Sequence, residues 1–168
     1  MKKFIIKFVV IAIALLAVVL YNNYKQTENY QIIEEDLTIP LGDTGITFEL
    51  SSQHVFQSET SENNDFYGLG DGGSWAIIVN HEDKEGFTLE EYAQAAAKAN
   101  NAGEAKLAVD GNYYFEYVNE EQGYHYYTAV RQNDQYYYRI AFYCLKDYWL
   151  EHQSNFADWA TTIKLEQK

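Results

Sequence analysis

The chain has 168 residues, room for one domain and a tail. Its formal charge is −13; the first 25 residues hold four of the twelve basic side chains and no acidic one, which leaves eight against twenty-five, a formal −17, on the rest. A body so acidic, with no basic stripe, repels a phosphate backbone and excludes nucleic acid as a partner, and a single cysteine, Cys144, excludes an internal disulfide.

The start, MKKFIIKFVVIAIALLAVVLYNNYK, places lysines before an apolar run from Phe8 to Tyr21. The run is fourteen residues, eighteen from Phe4 if Lys7 is spanned, between a signal-peptide core and a membrane span. Its end lacks the small residues that cleavage needs and lysines stand on its N-terminal side, so residues 1–21 read as a signal-anchor that leaves the body outside a bacterial membrane, with a cleaved signal peptide as the alternative. Residues 22–37 read as a polar tether, and residues 38–168 as the domain. No cysteine near the N-terminus is available for lipid attachment.

Pro40, the only proline, marks the start of the domain. ITFEL alternates Ile46, Phe48 and Leu50 against Thr47 and Glu49 and reads as a strand, with a second short strand at His54–Phe56. DFYGLGDGGSWAIIVN reads as a hairpin about Asp71-Gly72 with a strand from Trp75 to Val79. Its glycines are followed by neither Lys-Ser/Thr nor a helix, so they are no phosphate loop. NHEDKEGF, residues 80–87, reads as a solvated loop; its adjacent acids and His81 do not converge as metal ligands do. TLEEYAQAAAKANNAG is a helix with Thr88 as N-cap, Glu91 completing a capping box, Leu89, Tyr92, Ala93, Ala96 and Ala99 on one face, and Gly103 as its stop. A second helix begins at an Asp147 cap and buries Trp149, His152, Phe156 and Trp159; a last strand covers Thr162–Leu165.

Ten of the sixteen tyrosines lie between Gly111 and Cys144. That stretch divides into strands at about 112–118, 124–131 and 136–144, joined by short polar turns into an antiparallel meander. Alternation groups Tyr136, Tyr138, Ile140, Phe142 and Cys144 with Tyr124, Tyr126, Thr128 and Val130, and with Tyr113, Phe115 and Tyr117, as the core face. The other face carries Tyr137, Arg139 and Tyr143, His125, Tyr127 and Arg131, and Tyr114 and Glu116. With turns at Asn119–Gln122 and Asn133–Gln135, Glu116 stands opposite His125 and His125 opposite Tyr143. This row, walled by Tyr114 and Tyr127 and joined by Arg139, is the candidate binding site. Cys144 belongs to the core series and reads as an inert thiol.

A first alternating strand, a hairpin, a helix opening FTLEEYA, a three-stranded meander and an aromatic helix ending FADWATTIKL follow in an order that resembles the PsbP-like superfamily over roughly residues 38–168. The resemblance implies an α+β fold, an antiparallel sheet flanked by helices, and accessory or binding roles rather than a shared chemistry. No G-x-S-x-G elbow, S-x-x-K pair or cofactor motif occurs, so no catalytic residue, metal or cofactor is assigned. The expected function is a membrane-anchored extracytoplasmic module that binds a protein, peptide or glycan through its tyrosine-rich face. The alternative is a small extracytoplasmic hydrolase or metal-dependent enzyme.

Overall fold

The alternation of Ile46–Leu50 is realised as burial: Ile46, Phe48 and Leu50 are buried and Thr47 and Glu49 are half-exposed. A computed structural model describes residues 31–32 (backbone), 37–51, 53–59 and 61–166; the segment read as a signal-anchor and most of the tether lie outside the described residues. Among the described residues no helix is long and apolar enough to cross a membrane.

The strands are β1 (Gln31–Ile32), β2 (Leu37–Pro40), β3 (Ile46–Leu50), β4 (Val55–Glu59), β5 (Phe66–Gly70), β6 (Trp75–Asp83), β7 (Lys106–Leu107), β8 (Tyr113–Asn119), β9 (Tyr124–Gln132), β10 (Tyr136–Leu145) and β11 (Lys164–Leu165). The helices are α1 (Leu89–Ala99) and α2 (Trp149–Thr161), the latter preceded by a 3-10 turn at Lys146–Tyr148. An eight-stranded sheet runs β1-β4-β5-β6-β10-β9-β8-β7, antiparallel from β4 to β7, and a small sheet runs β11-β3-β2. Among the described residues the architecture is α+β, an antiparallel sheet with two helices.

One face of the large sheet packs against α2 and the small sheet. Trp75, Ile77, Val79, Ile140 and Phe142 meet Phe156 and Trp159 of α2 and Phe48 of β3. Phe48 contacts Phe142 and Trp159 edge-on, at 5.7 and 6.3 Å between ring centres. The opposite face receives α1: Tyr92, Ala93, Ala96 and Ala97 lie on Phe115, Val130 and Tyr137. The alanines let the helix axis approach closely, and Tyr92 stacks on Tyr137 at 4.3 Å.

The glycines of the β5–β6 hairpin serve packing. Gly70 pairs with Trp75, whose ring lies over it; a Cβ at Gly70 would sit 1.8 Å from that ring, and one at Gly68 would sit 2.4 Å from Phe56. Asp71, in the turn at φ +50°, fixes the indole by accepting from Trp75 Nε1 at 2.8 Å. It also accepts from the Val55 N–H at 2.8 Å and bonds His54 Nδ1 at 2.7 Å. Burial pushes its carboxyl up, but these three partners outweigh burial and hold it below the usual range.

Four local expectations are corrected. Residues Asn80–Asp83 continue β6 instead of forming a loop, because β10 pairs with them as far as Tyr136↔Asp83. Helix α1 stops before Gly103: Asn101 takes the left-handed conformation at φ +54°, and the Ala102 N–H reaches the Ala97 carbonyl at 2.9 Å, closing the last turn. Its buried face includes Ala97, not Ala99. Asp147 makes no cap; it lies in the 3-10 turn, and α2 starts from Tyr148 without a side-chain cap. The Thr88–Glu91 capping box is present in both directions.

The aromatic cover over Gly70 yields a stability prediction. Gly70→Ala displaces the Trp75 ring and its bond to Asp71, a loss of about 1–3 kcal/mol expected for overpacking. Urea unfolding followed by tryptophan emission measures it; an unchanged midpoint contradicts this packing.

Candidate functional site

Register decides which tyrosines meet. At the β8–β9 turn Asn119 pairs with Tyr124, and its side-chain oxygen accepts from the Gln122 N–H at 3.1 Å. The loop is therefore Glu120–Gly123, with Gly123 at φ +73°, and Glu116 stands opposite Tyr127 rather than His125. This is an even shift and keeps faces unchanged. At the β9–β10 turn Asn133 Oδ1 accepts from the N–H groups of Gln135 and Tyr136, at 2.9 and 2.8 Å, and the Asn133 N–H reaches the Tyr136 carbonyl at 3.1 Å. That closes the hairpin around two residues instead of three, so His125 pairs with Cys144 and Tyr126 with Tyr143. A one-residue shift exchanges faces.

The expected row is therefore divided. Glu116, His125, Tyr114 and Tyr127 share the α2 face, while Tyr143 and Arg139 lie on the α1 face; the expectation of His125 opposite Tyr143 is corrected. Glu116 Oε2 and His125 Nε2 are 4.0 Å apart, and Tyr114 stacks on Tyr127 at 5.1 Å. His125 lies flat on Trp149 of α2 at 3.5 Å between ring centres. The first turn of the helix thus covers His125, while Glu116 stays exposed. Burial pushes the His125 pKa down, and Glu116 opposes that only in part.

Arg131, expected on an open polar face, is buried on the α2 side. Its guanidinium donates to the Ala160 carbonyl at 2.6 Å and pairs with Asp110 at 3.0 Å, tying the end of α2 to the sheet. Cys144 is buried, and burial raises its thiol to about 11, which suits an inert side chain.

The α1 face brings together residues that the sequence divides between faces, Tyr117 and Tyr126 expected in the core and Tyr143 on the candidate binding face. Tyr117, Tyr126 and Tyr143 come from β8, β9 and β10 in one cross-strand row. Their rings stack at 4.6 Å and 3° (Tyr117–Tyr126) and at 4.8 Å and 23° (Tyr126–Tyr143). Tyr124 abuts both Tyr126 and Tyr143 edge-on. Nearby, Arg139 donates to Glu82 at 2.7 Å while its Nε has no partner among the described residues. Burial raises the phenol of Tyr117 to about 12, and it raises those of Tyr126 and Tyr143 as well. The sequence signal for this row was the pair Tyr124/Tyr126 at strand spacing; only the turn length assigns its face.

No family model and no curated protein sequence matches the chain. Among solved structures it is similar to cyanobacterial PsbP (CyanoP) from Synechocystis sp. PCC 6803, determined in solution, with a TM-score of 0.53 and 16% identity over 80% of this chain and 94% of that one. The fold is PsbP-like. At that identity the likeness is one of fold alone, and it agrees with the order of elements in the sequence.

The His125 environment predicts a direction with pH. Its folded pKa lies below the ordinary 6.5, and that of His152, also buried, shifts the same way, so the unfolded chain takes up protons first as pH falls. The stability present above about pH 7 declines as pH drops through 6.5. In an NMR titration, Glu116→Gln is expected to move the His125 midpoint further down; an upward move contradicts the Glu116–His125 contact.

Proposed function

We propose that the chain is a non-enzymatic, extracytoplasmic binding module, held at a bacterial membrane by its N-terminal segment, and that a protein partner docks on the tyrosine row Tyr117–Tyr126–Tyr143. The carrying observation is that row, stacked across three strands on the part of the face beside α1. Tyrosine and arginine are the side chains that protein interfaces favour, because each offers large contact area with a polar tip. Stacking consumes the ring faces within the row and Tyr126 is itself buried, so the row offers chiefly the partly exposed edges and hydroxyls of Tyr117 and Tyr143. That suits a protein surface better than a sugar ring, which needs an open aromatic face. The charge of the body steers towards a partner with a basic rim. The PsbP-like resemblance, with its accessory and binding roles, points the same way.

The hydrolase reading has one observation in its favour, the His81–Asp65 pair at 2.7 Å. His81 Nδ1 held by a carboxylate is the orientation a water-activating base uses. One oriented histidine is a weaker basis than a row built across three strands, and the binding reading stands first.

The test uses the full-length chain, immobilised from a detergent extract. The triple variant Tyr117→Phe, Tyr126→Phe, Tyr143→Phe keeps the stack and removes three hydroxyls. At about 0.5–1.5 kcal/mol for each hydrogen bond, capture of a membrane partner by the triple variant is expected to fall at least tenfold. Tyr114→Phe, on the other face, leaves capture unchanged. Equal capture by all three proteins refutes docking on the row, and hydrolysis of ester or peptide substrates that His81→Ala abolishes would establish the enzyme reading instead.

A further inference from the structure

A cleft of about 730 Å³ opens where the Asp43–Gly45 turn, the end of β6, the β9–β10 turn and the residues after β11 come together. It includes none of the tyrosine row, and its volume lies within the range of small-molecule sites. Its walls are fixed before any ligand arrives. The Glu166 N–H bonds the Gly45 carbonyl at 2.8 Å, and the Lys84 N–H bonds the Gln135 carbonyl at 3.0 Å. Lys84 Nζ also reaches the Asn133 carbonyl at 3.2 Å, and Asn133 Nδ2 donates to the Tyr138 hydroxyl at 3.1 Å. His81 is held by Asp65 and meets the Tyr136 ring edge-on at 4.7 Å.

The lining narrows the ligand by elimination. Four carboxylates, those of Asp43, Asp65, Asp134 and Glu166, face one ammonium, Lys84, so a phosphate, sulfate or carboxylate ligand is repelled. Among the described residues no group of three histidine, cysteine or acidic side chains is placed to hold one metal ion, which removes a metal centre. A purely apolar ligand would leave the carboxylates and the carboxamides of Gln132 and Gln135 without hydrogen-bond partners. What remains is a simple organic cation or a ligand dense in hydroxyl donors and acceptors with one apolar surface, and the carboxamides and the aromatic wall favour the second. Planar carboxylates and carboxamides each receive a pair of neighbouring hydroxyls, and the half-buried Tyr136 supplies an aromatic wall.

We infer that this cleft is a sugar site, taking a short oligosaccharide that is neutral or amine-bearing. The site is separate from the tyrosine row, so the two readings stand or fall independently.

The test is a titration of the full-length chain in a sugar-free polyoxyethylene detergent, read by saturation-transfer NMR. Four probes separate the alternatives: diacetylchitobiose (neutral), glucosamine dimer (amine-bearing), digalacturonic acid (anionic) and spermidine (a cation without a ring). Saturable binding of one or both of the first two, and none of the anionic sugar, is expected. Asp134→Ala with Gln135→Ala, two exposed turn positions, should weaken that binding at least tenfold. Tyr136→Ala should do the same, and the triple tyrosine-to-phenylalanine variant should leave it unchanged. Glu121→Gln, an exposed position outside the cleft, removes the same single charge elsewhere and should also leave it unchanged. The inference is overturned if neither sugar binds, if the turn variant binds as well as the parent, or if spermidine binds as tightly as glucosamine dimer and displaces it, which would make the cleft a simple cation site.

Discussion

The two-residue closure of the β9–β10 hairpin at Asn133 governs the arrangement of the sheet. The Asn133 side chain accepts from two successive backbone N–H groups, which lets the chain reverse with Asn133 itself paired to Tyr136. A one-residue change would send Ile140 and Phe142 to the α1 side and Tyr137, Arg139 and Tyr143 to the α2 side. The α2 side could not absorb that exchange, because Phe48, Phe156 and Trp159 already fill the space around Phe142. The α1 side would lose Tyr137, which stacks on Tyr92 and donates its hydroxyl to the Phe87 carbonyl. Lys84 bonds both Asn133 and Gln135, so the neighbouring strand holds the turn as well. Register is thus held from three directions, and both candidate sites inherit it.

Unequal cover of the two faces follows from helix length and composition. Helix α1 has eleven residues, about 16 Å of helix, and its buried side chains are three alanines and one tyrosine. It lies over Phe115, Val130 and Tyr137, and it has little bulk to spread further. Thr128 and Ala141 are nonetheless almost fully buried. They lie two residues along the strands from Tyr126 and Tyr143, on the same face, between the tyrosine row and the strand segments under α1. Large side chains standing on the sheet shield the small ones where the helix stops. On the other face α2 brings Trp149, Phe156 and Trp159, and the small sheet brings Phe48 and Leu50, so aromatic bulk reaches from Phe56 to His125. The surplus of tyrosine in the composition thus has a structural use on the part of the sheet that α1 does not reach.

Elements with a strong local signal were legible in the sequence. Alternation found Ile46–Leu50 and the three meander strands to within a residue or two, and the Thr88–Glu91 pair placed the start of α1. Register was not legible, because tyrosines occur on both faces of β9 and β10 and alternation alone cannot say which set faces in. Asn133 held the answer, but its side chain acts through a bond pattern that composition does not reveal. The end of α1 was missed because asparagine tolerates the left-handed conformation that glycine was expected to supply. Arg131 looked like a surface cation, yet its partners Asp110 and Ala160 are 21 and 29 positions away in the chain. The cleft left no trace in the sequence, since its walls come from four separate turns and strand ends.

Stacking also bears on the kind of protein that the proposed docking favours. Each ring of the row is wedged between neighbours, so its rotamer is set in advance and little side-chain entropy remains to be lost on contact. The phenols, raised by burial, stay protonated at any physiological pH and act as neutral donors. Their rings repeat at 4.6 and 4.8 Å, the spacing between strands of a sheet. A single extended peptide laid along the row would bring same-side groups only every ~6.6 Å, twice the rise of a strand, and would fall out of step by the third tyrosine. Neighbouring strands of a folded partner present carbonyls and side chains at about 4.8 Å, in step with the row. The spacing therefore favours a folded surface crossing the row over a flexible segment lying along it.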